Sequence, residues 1–137
     1  MNLPMILLVE DTEEDAFFFA RTLEKAGIHC ECNRAPNGAA AKAYLLSNAG
    51  KPHIVFLDLK MPEMDGFEVL DWLKDQPFKS NLTVIVLSSS DRPVDMARAM
   101  ELGANEYMTK PVASDALIRI VGTWFLKHDC KCPPWLR

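Results

Sequence analysis

No stretch of the 137-residue chain approaches the ~20 consecutive apolar residues of a membrane-spanning helix. The first residues, Met1-Asn2-Leu3-Pro4, lack the charged and apolar regions of a signal peptide, so the expected compartment is the cytoplasm. Positive charge is not in excess: a net charge of −4 leaves no electrostatic footprint for DNA or RNA. Gly-x-x-x-x-Gly-Lys is missing, which removes support for a P-loop nucleotide site, and Gly-x-Gly-x-x-Gly is missing too. No repeat, linker or low-complexity tract divides the chain. Cysteine is scarce, four residues in two Cys-x-Cys pairs, Cys30/Cys32 and Cys130/Cys132. Zinc sites usually place two to four residues between such cysteines, not one. Free thiols are therefore expected, with Cys30 and Cys32 as small buried hydrophobes on one strand face.

What is present is an ordinary globular composition, 49% hydrophobic and 25% charged, in a length suited to one domain with its own core. Residues 54–57, Ile-Val-Phe-Leu, are apolar without helical spacing and read as a strand buried on both faces. Met5-Ile6-Leu7-Leu8-Val9 and Thr83-Val84-Ile85-Val86-Leu87 read the same way, and residues 106–109 as a short last strand. Residues 28 to 33 or 34 alternate enough for an edge strand. Between these lie helical patterns. Residues 12 or 13 to 26 carry the stripe Ala16, Phe19, Ala20, Leu23 and Ala26, with Gly27 as the stop. Residues 39–47, 66–74 and 93–102 follow, the last with Pro93 in its first turn. Ser114 is the expected N-cap of a final helix with the stripe Leu117, Ile120, Val121 and Trp124. Strand and helix alternate five times, which predicts an α/β domain: a parallel sheet with helices on both faces. The expected domain is 4–127, and 128–137, with Cys132-Pro133-Pro134-Trp135, an irregular tail.

Parallel strands gather their carboxyl ends on one edge. Glu10 and Asp11, Asp58, Ser88 and Lys110 each follow a different expected strand. Three carboxylates brought together repel, so one must protonate or a cation must hold them. An all-oxygen cluster without His or Cys suits a hard divalent ion, Mg²⁺ foremost. Lys110 adds a point charge for phosphate, and Ser88 a hydroxyl that can donate to a phosphoryl oxygen. Metal, carboxylate nucleophile, lysine and hydroxyl together make a phosphoryl-transfer site. Each residue alone has a plainer reading: a helix-capping or first-turn acid, a surface lysine, a turn hydroxyl, a packed tyrosine at Tyr107.

The ordered set closely resembles the receiver domains of two-component response regulators, over about residues 4 to 127. The markers are Glu10-Asp11, the block Asp58-Leu-Lys-Met-Pro-Glu-Met-Asp-Gly66, Ser88, Gly103-Ala104, Tyr107 and Lys110-Pro111. Thirty positions separate Asp58 from Ser88, nineteen Ser88 from Tyr107, and three Tyr107 from Lys110. The resemblance implies a doubly wound (βα)5 flavodoxin-like fold with strand order 2-1-3-4-5. It implies Asp58 as phosphoacceptor from a sensor histidine kinase, forming an aspartyl phosphate, with Asp11, Asp58 and the Lys60 backbone carbonyl on Mg²⁺ (or Mn²⁺) and Glu10 acting through water. Lys110 would contact the phosphoryl group, Lys110-Pro111 would be a cis peptide, and Ser88 with Tyr107 would be the switch pair. Serine at 88, where threonine is commoner, and Ser89, where alanine is usual, depart from the family pattern.

A stand-alone domain is expected, since the chain ends soon after the last helix. It would act by binding: a kinase, then a protein target, a phosphotransfer protein or a second copy, with Trp124, Phe125 and Trp135 as candidate contacts. It would not be a turnover enzyme. Two alternatives stay open: a Mg²⁺-dependent phosphohydrolase, which steady turnover of phosphate esters would reveal, and a constitutive interaction module, which indifference to Mg²⁺ plus beryllofluoride would favour.

Overall fold

The computed structural model describes residues 5–128. Five strands, β1 (Met5–Val9), β2 (Cys32–Ala35), β3 (His53–Leu57), β4 (Leu82–Ser88) and β5 (Glu106–Thr109), form one sheet in the order β2-β1-β3-β4-β5. All four pairings are parallel. Helices α1 (Glu13–Lys25), α2 (Gly38–Ser47), α3 (Gly66–Leu73) and α4 (Pro93–Glu101) make the crossovers, α5 (Ser114–Lys127) follows β5, and a 3₁₀ turn at Lys79–Asn81 leads into β4. This is the parallel α/β sheet expected from the alternation of patterns, in the doubly wound order that the resemblance implies.

Strand side chains alternate between faces, and the continuous apolar runs feed two cores. Leu7, Val9, Val55, Leu57, Val84 and Val86 pack with Ala41, Leu45, Val69, Leu70 and Leu73 of α2 and α3. Ile6, Leu8, Ile54, Phe56, Ile85 and Leu87 pack with Phe19 and Leu23 of α1 and with Leu117, Ile120, Val121, Trp124 and Phe125 of α5. Register then fixes the site. Val9 pairs with Leu57 and Leu57 with Val86, so Glu10 and Asp58 leave neighbouring strands at one level. The Asp58 amide donates to the Val9 carbonyl at 3.0 Å. Ser88 pairs with Thr109, and the Lys110 amide donates to the Ser88 carbonyl at 2.7 Å.

Several local expectations are corrected. The edge strand β2 starts at Cys32 rather than residue 28, and Cys32 is exposed, so the two thiols are not a buried pair. The core side of α1 is Ala16, Phe19, Thr22, Leu23 and Ala26; of the expected stripe only Ala20 faces solvent, at the rim where Thr22 is buried instead. Thr22 is accommodated by donating its hydroxyl to the Phe18 carbonyl at 2.9 Å. The cap of α5 is Ala113, with Ser114 already its first helical residue and no side-chain cap bond. Trp124 and Phe125, offered as partner contacts, are 2% and 0% exposed and belong to the core beneath α5. Gly27 (φ 72°) and Gly103 (φ 100°) end α1 and α4 in the left-handed region, as their positions require. Cys130, Cys132 and Trp135 lie outside the described residues.

Candidate functional site at the carboxyl edge of the sheet

Glu10 and Asp11 directly follow β1. The Glu10 amide donates to the Ala35 carbonyl at 3.0 Å, and Arg34 Nε returns a bond to the Glu10 carbonyl at 3.0 Å, so this corner is tied to β2. Asp58 follows β3 on a loop held by Gly66, whose amide donates to the Leu59 carbonyl at 3.0 Å. A Cβ at Gly66 would run into the Asp58 carbonyl oxygen and lie 2.8 Å from Leu59 Cα, so this approach of α3 to the Asp58 loop needs glycine. Asp65 caps α3 by accepting from the Glu68 amide at 3.0 Å.

The expected acids converge. Glu10, Asp11 and Asp58 each offer a carboxylate oxygen, all within 4.8 Å of one another. Lys110 Nζ lies 2.7 Å from Glu10 Oε1 and 3.5 Å from Asp58 Oδ2. The Lys60 amide donates to Asp58 Oδ1 at 3.3 Å. Lys110-Pro111 is a cis peptide. Ser88 is fully buried, its Oγ accepting from the Ser90 amide at 3.1 Å. Tyr107 is half-buried and does not meet the carboxylates: its hydroxyl donates to the Ser90 carbonyl at 2.8 Å.

Electrostatics follow from this packing. Burial, and then the charge of Glu10, push the Asp58 carboxyl up to about 6, against the opposing pull of Lys110 and the Lys60 amide. For Lys110, burial acts to lower the value, but its hydrogen bonds to Glu10 and Asp15 and the nearby Asp58 charge outweigh it and hold the ammonium firmly protonated. A carboxyl that keeps its proton into the mildly acid range beside two other acids is a position where a divalent cation can take the proton's place. The donor set, three carboxylates and no soft ligand, fits Mg²⁺ or Mn²⁺.

Three further residues support the site. Asp15 lies 2.9 Å from Lys110 Nζ; its signal was its place among the acids Glu13, Glu14 and Asp15 in the first turn of α1, just after Glu10-Asp11. Ser90 Oγ donates to Asp95 Oδ2 at 2.6 Å and accepts from the Arg92 amide at 3.3 Å, anchoring the start of α4. Arg34 had no signal, since its partner is a backbone carbonyl. Two clefts open beside the site. One of about 520 Å³ is lined by Lys60, Met61, Ser88, Ser90 and Asp95, and one of about 470 Å³ by Asp15, Phe17, Phe18, Lys110 and Pro111.

A doubly wound sheet with carboxylates and a lysine at its switch-point edge defines a class of phosphate-handling signalling domains. Within that class, the chain belongs to the response regulator receiver domain family, whose model matches residues 6–122. It is 35% identical over 121 residues to the probable methanogenesis regulatory protein FilR2 of Methanothrix harundinacea, covering 85% of this chain and 78% of that protein. It is 35% identical over 111 residues to the response regulator Rcp1 of a Synechocystis species, covering 77% and 76%. The crystal structure of the Mn²⁺-bound form of Rcp1 superposes with a TM-score of 0.70 at 31% identity, covering 96% of this chain and 99% of that one. The protein is thus a receiver domain of two-component signalling, a signalling domain rather than a turnover enzyme, of a family phosphorylated by histidine kinases. Among the described residues no helix is long and apolar enough to cross a membrane.

Proposed function

We propose that Asp58 accepts a phosphoryl group from the phosphohistidine of a sensor histidine kinase, within the unit formed by residues 4–127. The N–P bond of the donor breaks as an Asp58 carboxylate oxygen bonds phosphorus, and the imidazole leaves with the electron pair and takes a proton from solvent. Asp58 must be ionised to attack, which a value of about 6 permits at neutral pH. Asp11, Asp58 and the Lys60 backbone carbonyl would hold Mg²⁺ or Mn²⁺, with Glu10 reaching it through water; the ion supplies charge neutralisation at the transferring group. Lys110 turns its ammonium to a phosphoryl oxygen. The carrying observation is that three carboxylates, brought within 4.8 Å of one another, and one ammonium meet from the ends of three separate strands, β1, β3 and β5.

The output is a repacking. A phosphoryl group draws the Ser88 hydroxyl away from the Ser90 amide, and the loop that anchors Tyr107 and α4 follows. A protein target, a phosphotransfer protein or a second copy would read that face. Labelling with acetyl phosphate and Mg²⁺ tests the assignment: wild type incorporates about one phosphoryl group per chain, and Asp58→Asn none. Undiminished labelling of that variant removes Asp58 as acceptor.

A further inference from the structure

Lys110 has a partner that the proposed chemistry does not use. Its ammonium offers three N–H donors. Glu10 Oε1 at 2.7 Å and Asp15 Oδ2 at 2.9 Å take the short contacts, while Asp58 Oδ2 stays at 3.5 Å. Asp15 is the third residue of α1. An acid there commonly turns back to the amide of the cap residue. Here the Thr12 amide is taken by Glu10 Oε2 at 3.2 Å, and Asp15 instead bridges to a lysine 95 positions along the chain. The two anchors differ in solvent access, the Glu10 side chain being 3% exposed and that of Asp15 46%.

Building on the phosphoacceptor reading, we propose that Asp15 is a positioning residue that parks the Lys110 ammonium at the outer rim of the site and competes for it with the acyl phosphate on Asp58. In the resting protein Asp15 and Glu10 hold the ammonium back from Asp58. A phosphoryl oxygen takes the lysine from Asp15, the more hydrated and therefore weaker anchor, while the buried Glu10 contact persists. Asp15 makes no bond to phosphorus; it sets how strongly the phosphorylated state must pull.

Beryllofluoride with Mg²⁺, an acyl-phosphate mimic, tests this by ¹⁹F NMR titration of the full chain. Asp15→Asn is expected to bind it about two- to fivefold more tightly, the size of a partly exposed ion pair, and Asp15→Glu to return towards wild type. Glu14→Gln removes the same charge from the same turn without touching the lysine, and is expected to change nothing. In the resting protein, the Lys110 ¹⁵Nζ signal should show coupling across the hydrogen bond to the Asp15 carboxyl carbon, lost in Asp15→Asn. Equal gains in Glu14→Gln and Asp15→Asn, or no gain in the latter while wild type binds normally, overturn this proposal alone. A wild type that binds no beryllofluoride overturns the phosphoacceptor reading and this proposal with it.

Discussion

Asp58 is 5% exposed, beside Glu10 at 2%, and that pairing makes the Asp58 carboxylate a burden on the fold. Its carboxyl, raised to about 6 from the ordinary 3.8, keeps a proton in the folded protein that the unfolded chain has released. Stability therefore falls as pH rises through that interval and stays low above it. Without divalent ions, Asp58→Asn is expected to stabilise the protein by roughly 1–3 kcal/mol at pH 7.5, with the gain shrinking towards zero below about pH 4. Urea denaturation at the two pH values measures it; a gain independent of pH would mean that Asn merely packs better. Asp58 was legible in the sequence as a carboxylate at the end of an apolar run. Its neighbour Asp15 was not, because reading acids one strand end at a time ignores a helix turn that folds back over the same edge. His53 was missed for a similar reason. It stands before the apolar run, yet it is fully buried, with Nδ1 3.0 Å from the Lys51 carbonyl and Nε2 3.0 Å from the Tyr44 hydroxyl.

The loop between β4 and α4 ties the proposed switch together through one residue. Ser90 gives its amide to Ser88, its carbonyl to Tyr107 and its hydroxyl to Asp95 in the first turn of α4. Removing the hydroxyl breaks the link to α4 but leaves both backbone contacts. Ser90→Ala is expected to cost about 1–2 kcal/mol, since the Asp95 carboxylate and the Arg92 amide lose a partner. Amide hydrogen exchange at the start of α4 should quicken severalfold, with labelling of Asp58 by acetyl phosphate retained. Loss of labelling would place Ser90 in the chemistry instead. Gly66 sets the opposite wall. Gly66→Ala drives a methyl group into the Asp58 carbonyl and Leu59, so it should cost about 1–3 kcal/mol and slow labelling together. The pair Asp65-Gly66 was readable as a turn signal. The helix start at Gly66 was readable as well, but that this glycine presses on the Asp58 loop depended on tertiary contact and was not.

At the scale of the molecule, the sheet was legible because β1, β3 and β4 are buried on both faces and show it as unbroken apolar runs. The edge strand β2, only half covered, gave a weaker pattern, and its start was misplaced by four residues. The same architecture separates stability from function: the cores lie on the two sheet faces, and the acids lie at the sheet edge. A cation bound at that edge stabilises the whole domain, because the unfolded chain does not bring the three carboxylates together. At Mg²⁺ ten times its dissociation constant, linkage gives about 1.4 kcal/mol, or a Tm rise of roughly 4–8 °C. Asp11→Asn, which removes one carboxylate of the cluster, should lose most of that rise. Ile120→Val, deep under α5, should lower Tm by an amount set by about 0.5–1.5 kcal/mol and keep the Mg²⁺-induced rise intact. Thermal melts of the three proteins across a Mg²⁺ series separate the two effects. A rise that survives in Asp11→Asn would place the ion elsewhere, whereas one lost in Ile120→Val would tie the site to the core rather than to the edge of the sheet.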